Sequence, residues 1–146
     1  MSLKLSANFT RMVTEKERRA IDAPFKRALQ LRDEGDFDGA IVILSDLARR
    51  YPLAPVLGTL GSLYQQKGDW QSAIQHYRQT VALSPKSELA SLGLFHSLLE
   101  IKEVEEALSE MKRFLSVSTS KEYNRLLAVA GGDLDEYGRR LRQATR

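Results

Sequence analysis

Leu57, Leu60 and Tyr64 fall three and four residues apart, which lines them up along one stripe of a helix, and Ala73, Tyr77 and Thr80 repeat that spacing further on. Between the stripes stands Lys67-Gly68-Asp69. Gly68 suits a left-handed helix stop, Asp69 the N-cap of the next helix, and Pro85 the exit from it. The pattern predicts two amphipathic helices facing each other across a tight turn. Small Gly61 and Ala73 would let the backbones approach, with Tyr64 and Tyr77 filling the space beside them.

The phrase recurs. Pro52 and Pro85 lie 33 residues apart, and Glu34-Gly35-Asp36-Phe37-Asp38-Gly39-Ala40-Ile41 echoes Lys67-Gly68-Asp69-Trp70-Gln71-Ser72-Ala73-Ile74. The best copy spans residues 54–87. An earlier one at about 21–53 carries Ala28, Leu31, Gly35, Asp36, Ala40, Leu44 and Pro52 at matching places. A later one at 88–121 carries Leu94, Leu98, Ala107, Met111 and Phe114, but has Lys102 for the turn glycine and Thr119 for the final proline. The first copy departs at its start, where Pro24 and Arg27 replace large apolar residues. Its first helix is therefore expected to begin near Asp22 as cap, with Pro24 in the first turn.

Leu57, Leu60, Gly61, Tyr64, Ala73, Tyr77 and Pro85 over about 34 residues closely resemble the tetratricopeptide repeat. The resemblance implies an all-α, right-handed superhelix of three helix-turn-helix repeats with short helical flanks, about seven to eight helices in all. A helical array of this kind presents a surface for holding another molecule, whereas an enzyme must converge reactive groups in a pocket.

The flanks complete the picture. Thr14-Glu15-Lys16-Glu17 is a capping-box signature, which predicts a short helix from Glu15 to about Ile21. Tyr123, Leu126, Leu127 and Val129 lead to Gly131-Gly132, and Asp133 opens a last helix with Leu134, Tyr137 and Leu141 on one side. Residues 122–146 are read as the polar-faced cap that a terminal repeat needs, residues 14–146 as a single domain, and residues 1–13 as a flexible N-terminus.

Composition then narrows the chemistry. With 146 residues, 42% of them apolar, the chain is long enough for an ordinary core. A net charge of +3 is the small difference of 22 basic and 19 acidic residues, so nucleic acid is not the default partner. There is no cysteine, hence no disulfide, thiolate metal site or cysteine nucleophile. No stretch approaches the roughly 18 apolar residues of a membrane span, and the opening ten residues hold no continuous apolar run, so a cytoplasmic location is expected.

In tetratricopeptide arrays the first helix of each repeat lines a concave surface. Projected onto this chain, that surface takes Phe25, Lys26, Leu29 and Arg32 from the first copy. The second contributes Gly58, Thr59, Ser62 and Gln65, and the third Leu89, Leu92, Gly93, His96 and Leu99. A small polar middle wall between apolar ends would accept a bulky side chain or a partner helix against Gly58 and Ser62, flanked by Phe25 and Leu92. The Lys, Asn and Arg clamp with which some relatives grip a terminal carboxylate is absent: Phe25, Leu29, Thr59, Leu89 and Gly93 stand in its places.

The expected function is therefore recognition of a protein or peptide without catalysis, metal or cofactor, either as a general adaptor or as a dedicated single-partner binder such as a secretion chaperone or a toxin-neutralising immunity protein. Of the acidic residues only Glu100 stands at helical spacing from a histidine, His96, and His76 has none. Glu103, Glu105, Glu106 and Glu110 read as a solvated face, and Trp70, matched by Phe37, reads as repeated packing. The basic groups Arg11, Lys16, Arg18, Arg19 and Arg139, Arg140, Arg142, Arg146 lack the interleaved aromatics of a nucleic-acid platform, which favours an acidic protein partner over nucleic acid or membrane. Homo-oligomerisation is compatible with the same surfaces and is not fixed by the sequence.

Overall fold

Capping chemistry sets most of the helix starts. Thr14 and Glu17 exchange both bonds of the capping box, Glu17 N–H to Thr14 Oγ1 at 3.1 Å and Thr14 N–H to Glu17 Oε2 at 2.8 Å. Asp36, Asp69, Ser87, Ser120 and Asp133 each accept from the backbone three residues on. The computed structural model describes residues 14–146. Among them run eight helices: α1 Glu15–Asp33, α2 Phe37–Arg50, α3 Ala54–Gln66, α4 Trp70–Leu83, α5 Glu88–Glu100, α6 Val104–Val117, α7 Lys121–Ala128 and α8 Leu134–Ala144. The expectation for residues 1–13 lies outside the described residues.

The helices stack as pairs. α1 packs on α2, α3 on α4 and α5 on α6, while α2–α3 and α4–α5 join successive pairs and α3 also touches α5. α8 lies against α6. Glycine ends α1 and α3: Gly35 and Gly68 sit at φ 85° and 77°. At the corresponding turn after α5, Lys102 adopts φ 65°, a conformation that costs a side-chain-bearing residue about 1–2 kcal/mol.

One boundary differs from the sequence reading. The short helix ending near Ile21 and the helix starting near Asp22 are a single helix, α1, with Pro24 inside it. An interior proline removes a hydrogen bond and costs about 3 kcal/mol. Ile21 and Phe25, on either side of it, are both buried in the same core, and each offsets about 1.5–3 kcal/mol. Burial on both sides of the break therefore carries the helix through.

The core falls into two clusters. Ile21, Phe25, Ala28, Ala40, Leu44, Leu47, Val56, Leu60 and Leu63 fill the N-terminal one. The C-terminal one is built on Tyr77, Leu94, Phe95, Leu98, Met111, Phe114 and Tyr123 with their neighbours. Tyr64 packs against both.

Candidate functional site

The side chains of α3 divide three ways. Val56, Leu60 and Leu63 enter the N-terminal core. Gly61 turns to α4, where a Cβ would stand 2.9 Å from the Tyr77 ring, and Gly58 is covered by Thr80, whose Cγ2 would lie 3.4 Å from an added Cβ. The remaining side carries Thr59, Ser62 and Gln65, all half-buried. Gly58 is thus part of the α3–α4 contact and not an opening beside Ser62. One helical turn separates the two residues, but Gly58 falls between the Ser62 face and the Gly61 face, and α4 closes over it.

The α5 residues continue this row. Leu92, His96 and Leu99 are half-buried, with Leu92 and Leu99 packed on the C-terminal core, while Leu89 is 65% exposed. Gly93 is the place where α4 reaches α5: an added Cβ would come within 2.3 Å of the Tyr77 ring. Tyr77, 2% exposed, is clamped between Gly61 and Gly93, and its hydroxyl donates to Gln65 Oε1 at 2.7 Å. Thr59 spends its proton on the Pro55 carbonyl at 2.7 Å. The His96 ring stands edge-on to Phe95, centroids 5.2 Å apart.

The α1 residues are arranged differently. Phe25, projected as a flanking anchor, is 3% exposed and belongs to the core. Leu29 is half-buried, Lys26 is exposed, and Arg32 is tied to its neighbour Asp33 at 3.0 Å. A hollow of about 430 Å³ runs along this helix, lined by Arg19, Asp22, Ala23, Phe25, Lys26 and Leu29. Phe25 forms its floor rather than a projecting knob.

A larger groove of about 540 Å³ lies where the first two pairs meet, among Ala48, Pro52, Leu57, Leu60, Ala82 and Leu83. His76 lines it, with its ring stacked on Tyr64 and Nδ1 held at 2.7 Å by the Ser72 carbonyl, which marks Nδ1 as the protonated nitrogen. Sequence reasoning missed this groove. Its signal was the apolar ends of α2 and α4, where Ala48, Pro52, Ala82 and Leu83 stand among polar neighbours.

Charges resolve into internal pairs more than the sequence suggested. Glu110, read as part of a solvated face, is 7% exposed. Ser91 donates to it at 2.6 Å, and Arg113 holds it with two bonds of 2.8 and 2.6 Å while also donating to the Pro85 carbonyl. Because Ser91 has one proton, the Tyr123 hydroxyl 2.8 Å away must donate to Ser91. Burial pushes the Tyr123 hydroxyl well above its ordinary range. Glu106 pairs with Arg78, and Glu105 pairs with Arg142 across α6 and α8 at 2.5 Å. Arg139 and Arg140 both grip Glu136, and these two hydrogen-bonded guanidiniums hold its carboxyl at about 2. Of the C-terminal arginines expected to await an acidic partner, Arg139, Arg140 and Arg142 are engaged within the chain. Arg19 pairs with Glu15, and Arg11 lies outside the described residues. No three His, Asp or Glu side chains gather as a metal set among the described residues. Nor is any described helix long and apolar enough to cross a membrane.

Two family models, both described as tetratricopeptide repeat, match residues 22–54 and 64–130, together more than half of the chain. The chain belongs to the tetratricopeptide repeat family. Solved structures with the same fold include the Yersinia enterocolitica type III secretion chaperone SycD in complex with a peptide of the translocator YopD, at 16% identity and TM-score 0.70, covering 91% of this chain and 100% of that one. MamA from Desulfovibrio magneticus RS-1 aligns at 21% identity and TM-score 0.67, over 86% of this chain and 73% of that one. The TPR2B domain of yeast Sti1 in its pHsp70 complex aligns at 13% identity and TM-score 0.63, over 85% and 97%. No curated protein matches the sequence.

Proposed function

We propose that this tetratricopeptide protein is a non-catalytic interaction module that holds a segment of a protein partner along the row formed by α3 and α5. The observation that carries the reading is the row's composition: half-buried Thr59, Ser62 and Gln65 beside half-buried Leu92, His96 and Leu99, with exposed Leu89 at its end. Such a surface combines apolar area to desolvate with fixed polar groups to set register. Leu29 and Arg32 of α1 extend it, whereas Phe25 and Gly58 support it from the core.

The proposal is tested by Ser62→Arg, which fills the row without touching the buried side of α3. Partner affinity should fall at least about tenfold while helicity and melting temperature hold. Full affinity in that variant, with loss on Leu83→Asp instead, would move the partner to the groove at α2, α3 and α4.

A second reading, that of a dedicated single-partner binder such as a secretion chaperone or an immunity protein, is favoured by one finding. The fold matches SycD over that protein's whole length, so a domain of this extent is the entire matched chain there. Recovery of one protein at nanomolar affinity, in place of several weak ones, would support it.

A further inference from the structure

The groove between α2 and α4 has a counterpart one repeat on, a hollow of about 400 Å³ between α4 and α6. The repeat matches their walls place by place. Ser45, Ala48, His76 and Gln79 line the first, and Arg78, Val81, Glu110 and Arg113 stand at the same places in the second. The second is closed by its own chain: Arg78 joins the two walls by pairing with Glu106, and Arg113, held by Glu110, donates to the Pro85 carbonyl at 2.9 Å. The first has no such span. Ser45 takes the place of Arg78 and Ser72 that of Glu106, so about 540 Å³ is left open over Leu57 and Leu60.

We propose that this open groove is a second docking surface, independent of the row on α3 and α5, and that its occupant is about three turns of an amphipathic helix from a protein partner, small or apolar along the entering stripe and acidic on the edge beside Arg49. An extended chain would press its own N–H and C=O groups against walls whose main chain is already bonded within helices, and Ser45, His76 and Gln79 are too few to take them. A helix satisfies its own. Exposed Val42 lies one turn before Ser45 on the same stripe of α2, and exposed Leu83 ends the α4 wall, so the apolar strip outruns the hollow. From Val42 to Pro52 it is roughly 15 Å long, which suits a short helix. The charge on that helix follows from the rim. No acidic residue lines the groove, while Arg49 does, with Nη2 on Asp46 and its other nitrogens unbonded among the described residues.

The probe is a synthetic alanine-based helix with leucines on one stripe and glutamates along one edge, titrated onto the full chain with backbone amide shifts as the readout. Saturable shifts are expected at Ser45, Ala48 and Leu83. Ser45→Arg, which supplies the long side chain that closes the other groove, and Leu83→Asp should each weaken binding about tenfold at unchanged melting temperature. Lysines in place of the edge glutamates should weaken it about threefold. Absence of saturable shifts in the groove overturns the proposal, as does full binding by the Ser45→Arg protein. Binding lost on Ser62→Arg instead would seat the helix on the row, which overturns the second surface and leaves the proposed function standing. Self-association of the chain that Leu83→Asp abolishes would make a second copy the occupant and overturn the acidic partner helix.

Discussion

Leu44 and Met111 occupy corresponding places in the second helices of the first and third pairs, and their surroundings differ in kind. Leu44 sits among Ile21, Phe25, Ala28, Leu47, Val56 and Leu60, a cluster whose fully buried residues are all apolar. Beside Met111, Glu110 joins Ser91, Arg113 and the Pro85 carbonyl, and Ser91 in turn holds Tyr123 of α7. The N-terminal half is held by contacts that have no direction, so swaps that conserve volume are tolerated there. The C-terminal half adds directed bonds, which fix how α7 docks but leave costly unpaired groups when one member is lost. The halves meet where Tyr64 packs against both clusters and where Gly58 and Gly61 of α3 face Thr80 and Tyr77 of α4, so damage away from that seam should reach the other half weakly.

Removing the last two helices gives the sharpest break in this comparison. Ending the chain after Ser120 deletes buried Tyr123, Leu127 and Tyr137. At about 1.5–3 kcal/mol for each large apolar side chain, the loss is on the order of the whole stability of a domain. Hydrogen exchange should show α5 and α6 opening while α1 to α3 keep protection. A truncated chain with an unchanged melting curve would make α7 and α8 an appendage.

Single substitutions probe the same difference at smaller scale. Glu110→Ala strips the partner from Ser91 and from Arg113 and should cost about 3 kcal/mol by denaturant unfolding, at the lower end for a buried pair because Arg113 is partly exposed. Leu44→Met, a swap of similar volume in the aliphatic half, should cost less than about 1.5 kcal/mol. Equal costs would mean that the polar network confers no directional dependence.

The repeat was legible because its signals are local. Gly68, Asp69, Ala73 and Tyr77 announce a stop, a cap, a close approach and a filler within one stretch of chain, and the same few residues recur a period away. What was missed lies across the chain. Nothing near Glu110 reveals Ser91 at 19 residues' separation, nor does anything near Glu105 reveal Arg142 at 37. The resemblance projects Ser62, Gln65, Phe25 and Gly58 onto one concave surface, but spacing does not say what covers a side of a helix: Ser62 and Gln65 are half-buried, whereas core covers Phe25 and Thr80 covers Gly58. Pro24 misled for another reason. Propensity is a local vote, and burial of Ile21 and Phe25 on both sides outweighs it.

The turns offer a smaller effect of opposite sign in the two halves. Lys102 bears a side chain at φ 65°, where Gly35 and Gly68 bear none at φ 85° and 77°. Lys102→Gly should stabilise by about 1 kcal/mol, the relief of left-handed strain less the extra freedom of glycine in the unfolded chain. Gly68→Ala should lose a similar amount. Both are read as shifts in melting temperature, and a destabilised Lys102→Gly protein would mean that the lysine side chain makes a contact worth more than the strain.

Acid is expected to have the smallest effect, and to fall unevenly. Glu136, held at about 2 by Arg139 and Arg140, and Glu105, lowered by its bond to Arg142, both lie in the C-terminal half; Asp46, lowered by Arg49 and Arg50, lies in the N-terminal half. Each carboxyl is lowered on folding, so each contribution is fully present above the ordinary carboxylate value and is lost as pH falls through the folded one. The window for Glu136 runs from about 4.5 down to about 2. Asp46 and Glu105 are exposed and Glu136 is half-buried, so solvent screens all three and the loss should show as local loosening and not as global unfolding. The Glu105–Arg142 pair joins α6 to α8, whereas both Asp46 partners sit on its own helix. Lowering pH through that window should therefore raise proteolysis or amide exchange in α8 before α2, and salt at neutral pH should reproduce the order. Simultaneous loosening of both helices would show that the ion pair contributes nothing to docking α8, leaving Tyr137 and Leu141 to hold it.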